Sequence, residues 1–143
     1  MPKSVKQTEK KCILIVEDSI DFSNLLKFIV EDEGFEGLQF PLDQADIVSW
    51  ARDHKPAVVL VDLALRRKAG MDYIEELKTD AETKHIPIII ITGRDLGLKD
   101  VVDLQMRGIK YLRKGRVELD DIKNEIRISA GLKARVASSS GKK

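Results

Sequence analysis

Apolar residues in this chain gather into short dense runs, separated by stretches in which they recur every third or fourth position. Cys12-Ile13-Leu14-Ile15-Val16 is the first run, and its β-branched content predicts a strand buried on both faces. Ala57–Val61 and Pro87–Ile91 read the same way, the latter being the most β-committed run in the chain. Two weaker segments, Leu38–Phe40 and Ile109–Leu112, complete five strands. Between them the period changes. Phe22, Leu25, Leu26 and Ile29 have the spacing of an amphipathic helix that closes at Gly34. Ile47, Val48 and Ala51 predict a second helix ending before Pro56, and Ile74 and Leu77 lie on one face of a third over Asp72–Thr79. A fourth covers Leu98–Met106 with Val101, Val102 and Gln105 on related faces, and Gly108 closes it. A fifth covers Leu119–Ala130 with Ile122 and Ile126 inward.

Strand and helix alternate five times, which predicts a doubly wound α/β fold with a five-stranded parallel sheet and helices on both faces. The 143 residues suit one domain, read as 12–130 between flexible tails at 1–11 and 131–143. Charge sharpens this division. The formal net charge is +1, but the first eleven residues carry +3 and the last twelve +4, leaving the body at −6. An acidic body with short basic ends is a poor profile for direct nucleic-acid binding. No apolar run is long enough for a membrane span, and Lys3, Lys6 and Gln7 stand where a signal peptide needs apolar residues. The single Cys12 opens a buried run and reads as an inert thiol. These features point to the cytoplasm.

Chemistry concentrates where strands end. Glu17-Asp18 follows the first strand, Asp62 the third and Thr92 the fourth, while Lys114 lies just past the fifth. Alone, Asp62 could be a cap or turn residue. Three carboxylates at one sheet edge repel unless a cation joins them, and hard oxygen donors suit Mg²⁺ better than zinc. A hydroxyl and an ammonium beside them can bind phosphoryl oxygens, with one carboxylate as nucleophile.

The set Ile15-Val16-Glu17-Asp18-Ser19, Leu60-Val61-Asp62-Leu63, Ile90-Ile91-Thr92-Gly93 and Tyr111-Leu112-Arg113-Lys114 resembles the receiver domain of two-component response regulators, of the single-domain chemotaxis-regulator type. The resemblance spans about residues 12–130 and implies a flavodoxin-like (βα)5 fold. It implies that Asp62 accepts a phosphoryl group from a sensor histidine kinase or a histidine phosphotransfer protein. It further implies Mg²⁺ held by Asp18, Asp62 and the Ala64 backbone carbonyl, with Glu17 acting through water. Thr92 and Lys114 then bind the phosphoryl group, and the Tyr111 ring turns inward as Thr92 moves. A downstream protein would dock on about residues 95–130. Such a chain catalyses only its own aspartyl phosphorylation and dephosphorylation, and turns over no separate substrate.

Departures from the family leave alternatives open. The loop after Asp62 lacks the usual proline and carries Arg66-Arg67-Lys68, read as solvated, or else as a surface that meets an acidic partner or tunes the pocket. Gly115 follows Lys114 where the family has proline, so the bond is expected to be trans with a displaced lysine, or cis under strain. Gly93 in place of alanine would leave Thr92 freer to move, and Arg94 could reach the pocket mouth or simply face solvent. A degenerate receiver acting as an interaction or dimerisation module, independent of phosphorylation, is the competing account. A phosphohydrolase of the haloacid dehalogenase type would need an acid at position 64, which is Ala. His54 and His85 lack ligand-spaced partners, and Trp50 reads as a packing residue. No glycine-rich dinucleotide fingerprint or G-x-S-x-G elbow occurs.

Overall fold

The computed structural model describes residues 10–133. Five strands, β1 (Cys12–Val16), β2 (Glu36–Gln39), β3 (Val58–Val61), β4 (Ile88–Thr92) and β5 (Lys110–Arg113), alternate with five helices. The helices are α1 (Ile20–Asp32), α2 (Ile47–His54), α3 (Gly70–Thr79), α4 (Leu98–Met106) and α5 (Leu119–Ser129). All strand pairs are parallel, in the order β2-β1-β3-β4-β5, the flavodoxin-like arrangement.

Three strands, β1, β3 and β4, are buried along their whole length, as unbroken aliphatic runs require. Their side chains alternate between two cores. Leu14, Val16, Val59, Val61, Ile88 and Ile90 pack against α2, α3 and α4. Ile13, Ile15, Val58, Leu60, Ile89 and Ile91 pack against α1 and α5. Trp50 packs edge-on against Phe40 and over His54, whose Nδ1 lies 3.0 Å from the Trp50 carbonyl.

Some boundaries differ from the sequence reading. β2 begins at Glu36 rather than Leu38, because the Glu36 N–H donates to the Lys11 carbonyl and Gly37 lies flat against Val30 and Lys27 of α1. The buried stripe of α1 is Ser23, Leu26, Ile29 and Val30, so Leu25 faces out at 38% exposure. In α4 only Leu104 is buried; Val102 is exposed, as are Leu98 and Met106. α3 starts two residues early, at Gly70, where a Cβ would lie 2.2 Å from the Asp62 carbonyl oxygen. Only glycine permits that approach. Lys11 is tied to the body by its carbonyl and by Nζ, 3.1 Å from the Ala130 carbonyl. The remainder of the basic ends, 1–9 and 134–143, lies outside the described residues.

Strand order reverses between β1 and β3, whose two neighbours run to opposite sides. Val16 pairs with Val61, so the residues that follow, Glu17 and Asp62, emerge side by side at that crevice. Ligands in open α/β sheets bind at such a point.

Candidate functional site

Glu17, Asp18 and Asp62 each offer a carboxylate oxygen within 4.8 Å of the others. Glu17 and Asp62 are 6% and 5% exposed, which is unusual for acids and costly without compensation. Local backbone holds each one. The Ser19 N–H donates to Glu17 Oε2 at 3.0 Å, and the Ala64 N–H to Asp62 Oδ1 at 3.1 Å. The Arg66 N–H donates to Asp18 Oδ2 at 3.0 Å.

Lys114 enters from the end of β5. Its Nζ donates to Asp62 Oδ2 at 3.1 Å and lies 3.0 Å from Glu17 Oε1. Glu17 Oε1 receives charge from that ammonium but no directed hydrogen bond, and it is buried. Burial, reinforced by the nearby Asp62 charge, pushes the Glu17 carboxyl above its ordinary range despite its contacts with Ser19 and Lys114. Burial pulls Lys114 the other way, but its close contacts with the Glu17 and Asp62 carboxylates outweigh it and the ammonium sits above the usual lysine value. Three carboxylates face the Lys114 ammonium and the solvent-exposed Arg66 guanidinium, which leaves the pocket short of positive charge. A buried Glu17 oxygen that lacks a directed hydrogen bond, among three hard oxygen donors, fits a divalent cation.

The expected displacement of Lys114 does not occur. No cis peptide is present among the described residues, and Gly115 takes φ +80°, a left-handed conformation glycine reaches freely. The trans backbone turns through the glycine while the long lysine stem still spans the distance to Asp62.

Thr92, at the end of β4, is fully buried, and its Oγ1 accepts the Arg94 N–H at 3.3 Å. The loop after it is fastened to β5 at successive points. The Lys114 N–H donates to the Thr92 carbonyl, Arg113 Nε to the Gly93 carbonyl, and the Tyr111 hydroxyl to the Arg94 carbonyl. Arg113 also pairs with Asp95 at 3.1 Å. Gly93 has open space around it, yet this loop is laced to the strand that carries Lys114. Tyr111 is half-buried, its ring against the core and its hydroxyl on the loop.

The basic loop is both solvated and in contact with the pocket. Arg66 and Arg67 are 83% and 77% exposed, while Arg66 Nε lies 3.5 Å from Asp18 Oδ2. Arg67 faces Asp43, and Lys68 pairs with Glu76 over the Tyr73 ring. A cleft of about 400 Å³ opens beside the carboxylates, lined by Leu42, Leu65, Arg66 and Tyr73. Arg94 is exposed and meets the site through its backbone.

Of the residues singled out from sequence, Glu17, Asp18, Asp62, Ala64 and Lys114 meet directly, while Thr92 ends the neighbouring strand and Tyr111 lies within β5, its hydroxyl on the loop after Thr92. Sequence reasoning missed two others. Arg113 was read only as a strand end, and Phe22 only as a helix core residue, although its ring lies under the Lys114 ammonium at 4.3 Å. The available signal for Phe22 was its place one helical turn past Asp18.

The sequence profile of the response regulator receiver domain matches residues 13–127. The polar-differentiation response regulators DivK of Brucella anthropi and Brucella ovis are each 32% identical over 83 residues, 58% of this chain and 67% of theirs. The BeF3-activated N-terminal receiver domain of Klebsiella pneumoniae RstA is similar in structure, with TM-score 0.70 at 22% identity, covering 84% of this chain and 98% of that one. The receiver domain of sensor histidine kinase PA1611 from Pseudomonas aeruginosa, solved with a magnesium ion coordinated in its active-site cleft, gives TM-score 0.70 at 19% identity, covering 86% and 99%. At these identities the structural likeness establishes the fold.

Proposed function

Because the chain belongs to the response regulator receiver family, and so is a phosphoacceptor of two-component signalling, we propose that Asp62 is the residue that takes the phosphoryl group. Its donor would be a phosphohistidine on a sensor kinase or a phosphotransfer protein. An Asp62 carboxylate oxygen attacks phosphorus as the P–N bond breaks, and the bond's electron pair returns to the imidazole nitrogen. The observation that carries this reading is the meeting of three carboxylates within 4.8 Å, with the Lys114 ammonium 3.1 Å from Asp62, at the switch point of the sheet.

Each neighbour has a part. Glu17, Asp18, Asp62 and the Ala64 carbonyl would hold Mg²⁺, which when bound neutralises charge on phosphoryl oxygens. Lys114 supplies a second positive charge to the same oxygens, and Thr92 a hydroxyl donor. A phosphoryl group adds about −1.5 to −2 charges to an already acidic crevice. Thr92, whose Oγ1 accepts the Arg94 N–H, would turn to it together with the β4–α4 loop, and Tyr111 and Arg113 would transmit that movement because they hold the loop's carbonyls. The face that changes is residues 95–130, where exposed Leu98, Val102 and Met106 offer a downstream protein an apolar contact. The protein acts as a switch whose only chemistry is on its own aspartate. The undisplaced Lys114 favours this reading over an interaction module independent of phosphorylation.

Beryllofluoride with Mg²⁺, followed by backbone NMR, tests the assignment. Shifts at 92–95 and 111–114, absent with Mg²⁺ alone, are expected. A response confined to residues 17, 18 and 62 would refute the proposed switch.

A further inference from the structure

Lys114 has three partners of two kinds. Glu17 Oε1 at 3.0 Å and Asp62 Oδ2 at 3.1 Å are carboxylate oxygens of the acidic cluster. The third is the face of Phe22, with Nζ 4.3 Å from the ring centroid. We propose that Phe22 is a positioning residue for Lys114, a neutral platform that holds the ammonium over the pocket whatever the charge state of the carboxylates. This inference rests on the reading of Lys114 as a phosphoryl ligand.

The carboxylate partners cannot serve as a fixed anchor. A divalent cation would draw on the same oxygens, and phosphorylation converts Asp62 into an acyl phosphate. Either event removes or moves what the ammonium is bound to. An aromatic quadrupole attracts the cation without competing for metal or taking a proton.

The backbone increases the need for such a platform. Gly115 follows with φ +80°, and a Cβ built there would meet nothing within 4 Å, so no ring constrains the backbone after Lys114 and no side chain crowds it. The lysine stem carries considerable rotamer freedom. Phe22, in contrast, is well fixed. It lies in the first turn of α1, its N–H donates to the Ser19 N-cap oxygen at 3.3 Å, and its half-buried ring packs against the core beneath that helix. Neither acid–base chemistry nor metal binding uses this ring, which leaves the cation contact as its role at the site.

The test measures Mg²⁺ affinity and beryllofluoride affinity in saturating Mg²⁺, by calorimetry, on the full chain and on Phe22→Leu, Phe22→Tyr and Lys114→Ala. Phe22→Leu keeps an apolar side chain of similar bulk and loses the quadrupole; Phe22→Tyr keeps it. The expected result is beryllofluoride binding weakened about three- to tenfold in Phe22→Leu, restored in Phe22→Tyr, with Mg²⁺ affinity unchanged in both. In a Lys114→Ala background, Phe22→Leu should add nothing. Equal beryllofluoride affinity for Phe22→Leu and the parent overturns the inference, as does a loss that Phe22→Tyr shares or that appears equally in Mg²⁺ binding. If Lys114→Ala itself binds beryllofluoride like the parent, the reading of Lys114 fails first. If Lys114→Ala is impaired and Phe22→Leu is not, only the positioning role fails.

Discussion

Replacing Glu17 with glutamine should make the metal-free protein more stable, although the side chain is almost wholly buried and apparently well held. The magnitude follows from the pocket's charges. At an effective dielectric constant of about 20, a carboxylate pair at the outer limit of 4.8 Å costs about 3.5 kcal/mol, and more if closer; Glu17 forms two such pairs, with Asp18 and Asp62. Lys114 at 3.0 Å returns about 5.5 kcal/mol on the same scale. The balance is about 1.5 kcal/mol of net repulsion, which water around the 23% exposed Asp18 side chain reduces to about 1 kcal/mol. Glutamine keeps the acceptor for the Ser19 N–H; its amide nitrogen then stands where Oε1 faced Lys114, and the ammonium turns wholly to Asp62. For a chain of this size about 1 kcal/mol raises Tm by about 3–5 °C, readable by calorimetry in EDTA. The effect also depends on pH. Because burial raises the folded Glu17 pKa above its unfolded value, the native state binds this proton more tightly. Parent stability should therefore gain as pH falls from the raised pKa toward the ordinary one, and Glu17→Gln lacks that gain. The gap between them narrows with falling pH. Added Mg²⁺ should reverse the order by stabilising the parent more. A Glu17→Gln protein less stable than the parent in EDTA at neutral pH would refute the reasoning.

Three other outcomes are expected. Arg66→Ala should tighten Mg²⁺ binding by about two- to fivefold, the worth of an exposed ion pair at Asp18, and weaker binding by calorimetric titration would contradict this. Gly70→Ala should cost about 2–3 kcal/mol or more in urea unfolding, since its Cβ would lie 2.2 Å from the Asp62 carbonyl oxygen; a loss below about 1 kcal/mol would show that the loop yields freely. Cys12 is buried in β1, and that burial, with the nearby Glu36 charge, raises its thiol pKa; Ellman's reagent should react with it only as fast as the protein unfolds, and prompt native-state labelling would contradict the packing.

The sheet was legible because its central strands are buried on both faces, and such strands need unbroken aliphatic runs that nothing else in the chain imitates. The acidic and hydroxyl residues were legible for a related reason, as each follows directly on one of those runs. Helix faces were harder. Val102 has the spacing of a core residue, but α4 sets only Leu104 into the sheet, and which side of a short helix is buried depends on its tilt. The position of Lys114 was misjudged from Gly115, because a backbone preference does not fix the end of a long side chain. Phe22 and Arg113 touch Lys114 and Gly93, which lie far away in sequence for one and across α4 for the other. No local pattern encodes those meetings.

The role proposed for Asp62, acceptance of a phosphoryl group, is open to direct test. Incubation with acetyl phosphate and Mg²⁺, followed by intact mass, tests it most directly, with Asp62→Asn alongside. One added phosphoryl mass is expected, which requires Mg²⁺, is removed by hydroxylamine as an acyl phosphate must be, and is absent from the variant. An unmodified parent, or an adduct that persists in Asp62→Asn, would contradict it.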